Sequence, residues 1–237
     1  MTAPVDTASL VLAGLLGMLV GGNNLSACCG TIIGSGMVRR RSGILLAVAG
    51  YITGLVIEGP KLFRVTEVFL PANTSTGAFS ILLASLLVFL GGEFFKVPLS
   101  LSKALMGAIL GVNTLGLIAG VPYHQSFDAT IAVGLGAILG AFLLGRGALR
   151  RLTEGIFSLR YPNAFFAQLV GSATVELANQ LAVPLSITET VSSGIIGSGL
   201  ARRMRVLNVR NIFLIISSWI ISPIAGFLLA YVITKLL

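Results

Sequence analysis

Charge is scarce in this sequence. Only 10% of its 237 residues are charged while 55% are hydrophobic, against roughly 25% charged in soluble domains. That excludes a soluble globular domain and indicates an all-α, polytopic membrane protein. Reactive side chains are as few. The single histidine, His124, stands beside Pro122 in a loop, and no aspartate or cysteine constellation has metal-ligand spacing. A membrane enzyme acting on lipid phosphates needs a nucleophile or an acid/base set, so the sequence speaks against an enzyme, a cofactor or a bound metal. The two cysteines, Cys28 and Cys29, are neighbours in an apolar run, which gives neither a framework disulfide nor a metal site. The net charge of +8 comes from basic residues gathered at Arg39-Arg40-Arg41, at 146–160 and from Arg202 to Arg210. Clusters in short loops between apolar spans follow the positive-inside rule and leave no reason to expect nucleic acid as a partner. Asp6 and the lack of a cationic cluster at the start make a cleavable signal peptide unexpected.

What is abundant is apolar length. Stretches fall at about 9–38, 42–60, 77–112, 127–146, 163–200 and 210–234. Since roughly 20 residues cross the hydrocarbon once, the second, fourth and sixth read as single spans. The third and fifth are long enough for helical hairpins, and the first is overlong for one crossing. The basic loops mark the cytoplasmic side, which makes this a multi-pass protein of the inner membrane; Lys61 and Arg64 depart from that pattern and are partly offset by Glu67.

The hairpins share a phrase. Val97-Pro98-Leu99-Ser100 returns as Val183-Pro184-Leu185-Ser186, 86 residues on, and in the same register 42–59 aligns without a gap on 128–145, pairing Gly50 with Gly136 and Gly54 with Gly140. Threading through the assigned sides gives the two copies opposite orientation. The chain therefore reads as one transport domain over 1–237, with inverted repeats at 42–112 and 128–198, an unpaired segment 1–41 and a C-terminal span 205–237. Gly50-x-x-x-Gly54 and Gly136-x-x-x-Gly140 are expected at close helix contacts. A second echo, Ile32-Ile33-Gly34-Ser35-Gly36 against Ile195-Ile196-Gly197-Ser198-Gly199, reads as two helix ends at the cytoplasmic face.

Broken, hydroxyl-bearing segments at matching places in two halves point to the substrate site of a secondary transporter. Proline suits a first helical turn and serine an N-cap, so Pro98–Ser102 and Pro184–Thr188 read as helix starts whose unpaired N–H groups favour an anion. Gly21-Gly22-Asn23-Asn24-Leu25-Ser26 reads as a break within the first stretch, giving Ser26 onward a third N-terminus. Lys103 and Glu189 occupy the same repeat position, and intramembrane ionisable groups are functional candidates by default. A cation facing a carboxylate there serves to neutralise substrate charge and carry a coupling proton. Glu189, or Glu176, is the expected proton carrier, and Glu93 and Lys96 are further ionisable residues in the hairpins.

The segment Gly21-Gly22-Asn23-Asn24-Leu25-Ser26-Ala27-Cys28-Cys29-Gly30-Thr31 resembles the G-A-N-D-x-A-N-x-x-G-T signature of the inorganic phosphate transporter (PiT) family. Both Val-Pro-Leu-Ser segments are similar to its P-V-S-T-T-H motif, and the stretch from Thr153-Glu154-Gly155 through Pro184 to Trp219 and Pro223 is similar to its C-terminal region. The resemblance implies a phosphate or sulfate permease coupled to sodium or protons, inverted repeats and a homodimer. It places Asn23, Asn24, Ser100, Ser102, Ser186 and Thr188 around the anion; the reading of the residues themselves adds Ser26 and Lys103 as binding candidates. The departures are specific. The signature aspartate is Asn24, its second asparagine is Ala27, and the motif histidines are Lys103 and Glu189. Losing the carboxylate removes an anionic ligand that a hard cation wants. A passive anion channel using the same dipoles is the rival reading.

Overall fold

The computed structural model describes residues 7–57, 75–94, 99–114, 127–144, 160–181, 183, 185–201 and 208–237. Pro98, Pro184, Lys96, His124 and most of the basic loops lie outside the described residues, as do the side chains of Ser26 and Glu93. Every described element is helical: α1 (Thr7–Val20), a π-helical segment (Gly21–Leu25), α2 (Ser26–Gly34), α3 (Arg40–Ile57), α4 (Ser75–Phe94), α5 (Leu101–Asn113), α6 (Phe127–Leu143), α7 (Tyr161–Gln180), α8 (Ile187–Ala201) and α9 (Val209–Leu236). The all-α expectation holds. By length and apolarity, Thr7–Gly34, Arg40–Ile57 and Val209–Leu236 are each sufficient to cross a membrane.

The second, fourth and sixth apolar stretches are single helices (α3, α6 and α9). The third and fifth each hold two helices that pack on one another, α5 on α4 and α8 on α7. The first stretch departs from expectation. Leu25 keeps right-handed helical angles (φ −63°, ψ −34°) and the chain runs helically from Thr7 to Gly34. The glycine-asparagine segment is a π turn, which retains the backbone ladder with one extra residue per turn. No third helix N-terminus therefore exists at Ser26. The helix ends at Gly34, and two residues on Gly36, with a φ of +79°, takes the left-handed conformation favoured by glycine. The echo at 195–199 remains inside α8, which ends only at Ala201.

Glycine sets the tightest contacts. A Cβ on Gly140 would lie 2.9 Å from Met18 Cα, and Gly21 approaches the backbone of Ala137 still more closely, so α1, the π turn and α6 lie backbone to backbone. Gly107 meets Pro223 and Gly226 meets Ala104, which joins α5 to α9 in the same way. The Gly136-x-x-x-Gly140 expectation holds. Gly50 and Gly54 do not follow it: among the described residues nothing lies within 4 Å of a Cβ at either position.

Side-chain clusters complete the assembly. Leu16 and Leu19 of α1 meet Leu86 and Phe89 of α4 and Leu101 of α5. Ile81 and Ala84 meet Ala108, Val112 and Ala230. Ala167, Val191, Ile195 and Ile215 bind α7, α8 and α9 together. Broad outward apolar surfaces, such as Val56, Phe165, Phe213 and Ile220, suit a bilayer.

Candidate functional site

The start of α5 is built on Ser100, which sits at the N-cap in an extended conformation (φ −88°, ψ 111°) and makes no side-chain cap bond. Its residue is 1% exposed, and its hydroxyl has no hydrogen-bond partner among the described residues. Its backbone N–H donates to Ser222 Oγ at 2.9 Å, and Ser222 Oγ donates to the Ser218 carbonyl at 2.6 Å. Ser222 is thus the residue that fastens this helix start to α9. One residue later, Pro223 has no N–H for the Trp219 carbonyl.

The start of α8 repeats the plan with different chemistry. The Ser186 carbonyl accepts from the N–H groups of Glu189 and Thr190, both at 3.1 Å, which closes the first turn. Ser186 Oγ and Thr188 Oγ1 are 2.8 Å apart and satisfy one another, and both residues are buried. Ser192 Oγ donates back to the Thr188 carbonyl.

The two starts meet through their charged residues. Lys103 Nζ is 3.0 Å from Glu189 Oε2, the Lys103 side chain being 37% exposed and that of Glu189 10%. Lys103 Nζ also stands 5.7 Å from the centre of the Trp219 ring, a cation–π contact. The other carboxylate oxygen, Glu189 Oε1, is buried and has no partner among the described residues. A buried acceptor left unmatched is costly, so this carboxylate is only half accommodated.

The π turn borders the same place. It packs on α8, while Leu101, at the head of α5, shares a core cluster with Leu16 and Leu19, which lie just before it. Asn23 is buried, Asn24 is partly exposed, and Asn23 Nδ2 reaches Asn24 Oδ1 at 3.4 Å. Thr31 of α2 donates to Gln168 Oε1 of α7 at 3.1 Å and ties the π-bearing helix to the second hairpin. A cleft of about 660 Å³ between α7, α8 and α9, lined by Asn163, Phe166, Glu189, Thr190, Ser193 and Trp219 among others, opens onto Glu189.

The expected site residues divide accordingly. Ser100, Lys103, Ser186, Thr188 and Glu189 are at the two helix starts, Ser102 is partly exposed on the first turn of α5, and Asn23 and Asn24 belong to the π turn that packs on α8. Glu176 is not drawn in: it is exposed on α7 and accepts from Gln180 Nε2 at 2.7 Å. Sequence reasoning missed Ser222, Asn163 and the Thr31–Gln168 pair. Two helix N-termini, several hydroxyls and a lysine suit an oxyanion, since partial positive charge and neutral donors converge there. As it stands, however, the lysine is occupied by the carboxylate.

Residues 113–230 match the phosphate transporter family. A candidate phosphate permease of Methanocaldococcus jannaschii is 29% identical over 139 residues, which are 59% of this chain and 46% of that protein. One of Haemophilus influenzae is 35% identical over 99 residues, 42% of this chain and 24% of its own length. The sulfate permease CysP of Bacillus subtilis is 30% identical over 111 residues, 46% of this chain and 31% of that protein. The chain thus spans less than half the length of these curated relatives. A solved structure described as a sodium-dependent phosphate transporter is 21% identical, at a TM-score of 0.44 over 96% of this chain and 64% of that one. The resemblance read from the sequence stands, and the relatives are permeases rather than enzymes. Ser186, Thr188, Glu189 and Glu176 fall inside the matched region, whereas Asn23, Asn24, Ser26, Ser100, Ser102 and Lys103 precede it.

Proposed function

We propose, for a multi-pass membrane protein related to the phosphate transporter family, that it is a secondary-active permease for an inorganic oxyanion, phosphate or sulfate. The anion rests where α5 and α8 begin. Ser100, Ser102, Ser186 and Thr188 supply hydroxyls, first-turn N–H groups supply partial positive charge, Lys103 supplies the full charge, and the Asn23 and Asn24 amides close one side. The observation that supports this reading is the 3.0 Å contact of Lys103 with Glu189, which links the first turns of two helices, each headed by a buried serine, through their side chains. A desolvated anion needs such donors, because losing its water without replacement is prohibitive.

In this proposal 42–112 and 128–198 are inverted repeats, and the hairpins α4–α5 and α7–α8 rock in turn to open the site to either face of the inner membrane. Two copies form a homodimer. Thermal unfolding of the purified protein with phosphate, sulfate and chloride, with and without sodium and at two pH values, tests the substrate class. A ligand that binds only the folded state raises the midpoint by mass action. Stabilisation by phosphate or sulfate and not chloride is expected. Equal midpoints with all three anions would remove the reading, and uptake into proteoliposomes that ignores both sodium and pH gradients would make the protein a channel.

A further inference from the structure

We infer that Glu189 is an internal stand-in for the transported anion: it holds Lys103 while the site is empty, yields Lys103 when the anion binds, and takes a proton as it lets go. The inference rests on the anion-site reading above and adds how occupancy is sensed and charge balanced. Lys103 has one carboxylate oxygen at 3.0 Å, and the other oxygen of that carboxylate is buried without a donor among the described residues. The carboxylate is therefore held chiefly by the lysine. At the head of α5, one turn before Lys103, Ser100 is 1% exposed and its hydroxyl also lacks a partner among the described residues. An acceptor at the start of α8 and a hydroxyl one turn before Lys103 on α5, neither with a partner among the described residues, describe a site whose present occupant satisfies only part of it.

An incoming dianion satisfies Lys103 and Ser100 together, which Glu189 does not. Glu189 is then left as a lone charge in a buried place, and neutralisation is the ordinary escape from that cost. No other charge relieves it among the described residues. Of the elements packed on α8, α2 brings the thiols Cys28 and Cys29, and the π turn brings the amides of Asn23 and Asn24. In α7, Tyr161 and Glu176 are exposed. In α9, Arg210 is exposed at its start, while Tyr231 and Lys235 lie near its far end. The cleft opening onto Glu189 gives water a route to the carboxylate. The balance is simple: one proton passes from water to a Glu189 oxygen as the anion arrives, Lys103 keeps its three protons, and the proton returns to water when the anion leaves and the ion pair closes.

Sulfate is the cleanest probe, because it remains a dianion over the working pH range while phosphate itself titrates. Equilibrium binding of sulfate to the purified protein is expected to tighten as pH falls, by up to about tenfold per pH unit for one linked proton. Glu189→Gln frees Lys103 and removes the proton site, so it is expected to bind sulfate more tightly, by about fivefold or more, with no pH dependence. Lys103→Gln is expected to lose most of the affinity. If sulfate proves too weak, phosphate at constant dianion concentration serves the same test. The pair Lys103→Gln with Glu189→Gln keeps the experiment decisive if the single glutamate variant fails to fold: it is expected to bind weakly and without pH dependence. Wild-type protein that binds neither oxyanion overturns the anion site and this inference together. Wild-type protein that binds, with Glu189→Gln equal or weaker and still pH-dependent, overturns the stand-in alone and makes the contact a structural ion pair.

Discussion

The starts of α5 and α8 are equivalent in the 86-residue register yet chemically opposite. One carries a cation and a hydroxyl with no mate among the described residues; the other carries a carboxylate and a hydroxyl already matched by Thr188. The same contrast runs through the glycines. Gly136 and Gly140 of α6 touch the backbone of α1, whereas their register partners Gly50 and Gly54 of α3 touch nothing described. In the proposed site these equivalent sequence positions do different work: Lys103 supplies the positive end, and Glu189 supplies what balances it.

Several substitutions break or sharpen this contrast, and the largest effect is expected at a glycine. Gly140→Ala forces a methyl group into the backbone of Met18 and should destabilise the protein by about 3 kcal/mol, the upper range for overpacking. Thermal or denaturant unfolding in detergent measures it. Lys103→Glu sets two carboxylates face to face and should cost on the order of 2 kcal/mol, less than a fully buried pair because the lysine side chain is 37% exposed. Exchanging the charges, Lys103→Glu with Glu189→Lys, should restore most of that stability. A double variant no more stable than the single one would show that the pair adds nothing to folding.

Smaller effects separate the serines. Ser186→Ala strands the Thr188 hydroxyl, and Ser222→Ala strands the Ser100 N–H; each should cost about 1 kcal/mol. Ser100→Ala removes a hydroxyl that has no partner among the described residues, so its stability should stay within about 0.5 kcal/mol of the parent. The smallest expected effect is that of Gly54→Ala, again within about 0.5 kcal/mol. A large loss there would mean that α3 has a close neighbour which the contrast with α6 leaves out.

Much of this was legible in the sequence. Apolar length gave the helices, because the cost of burying unpaired backbone in lipid leaves helices as the solution. The repeat register alone paired Lys103 with Glu189 before any contact was seen. Gly21-Gly22-Asn23-Asn24 misled, since the same residues serve a broken helix or a π turn pressed against a neighbour. Only the position of α6 decides between them. Small-x-x-x-small spacing likewise names a surface that permits close approach without saying whether a partner arrives, and Gly50 with Gly54 is the case where none is described. Ser222 was hidden for another reason. A serine in a long apolar helix usually bonds its own carbonyls, and nothing local announces that it also accepts from a residue 122 positions away. Thr31 and Gln168, 137 apart, are the same kind of pair.

The shared anion site is tested most directly by equilibrium binding of phosphate and sulfate to the purified parent protein and to Ser100→Ala. The parent should bind one of the two, and Ser100→Ala should bind it about tenfold more weakly, the loss of a hydrogen bond to a charged group, while unfolding at the same temperature without ligand. Binding of equal strength by both proteins would contradict the account, for the unmatched hydroxyl at the head of α5 would then have no part in holding the anion.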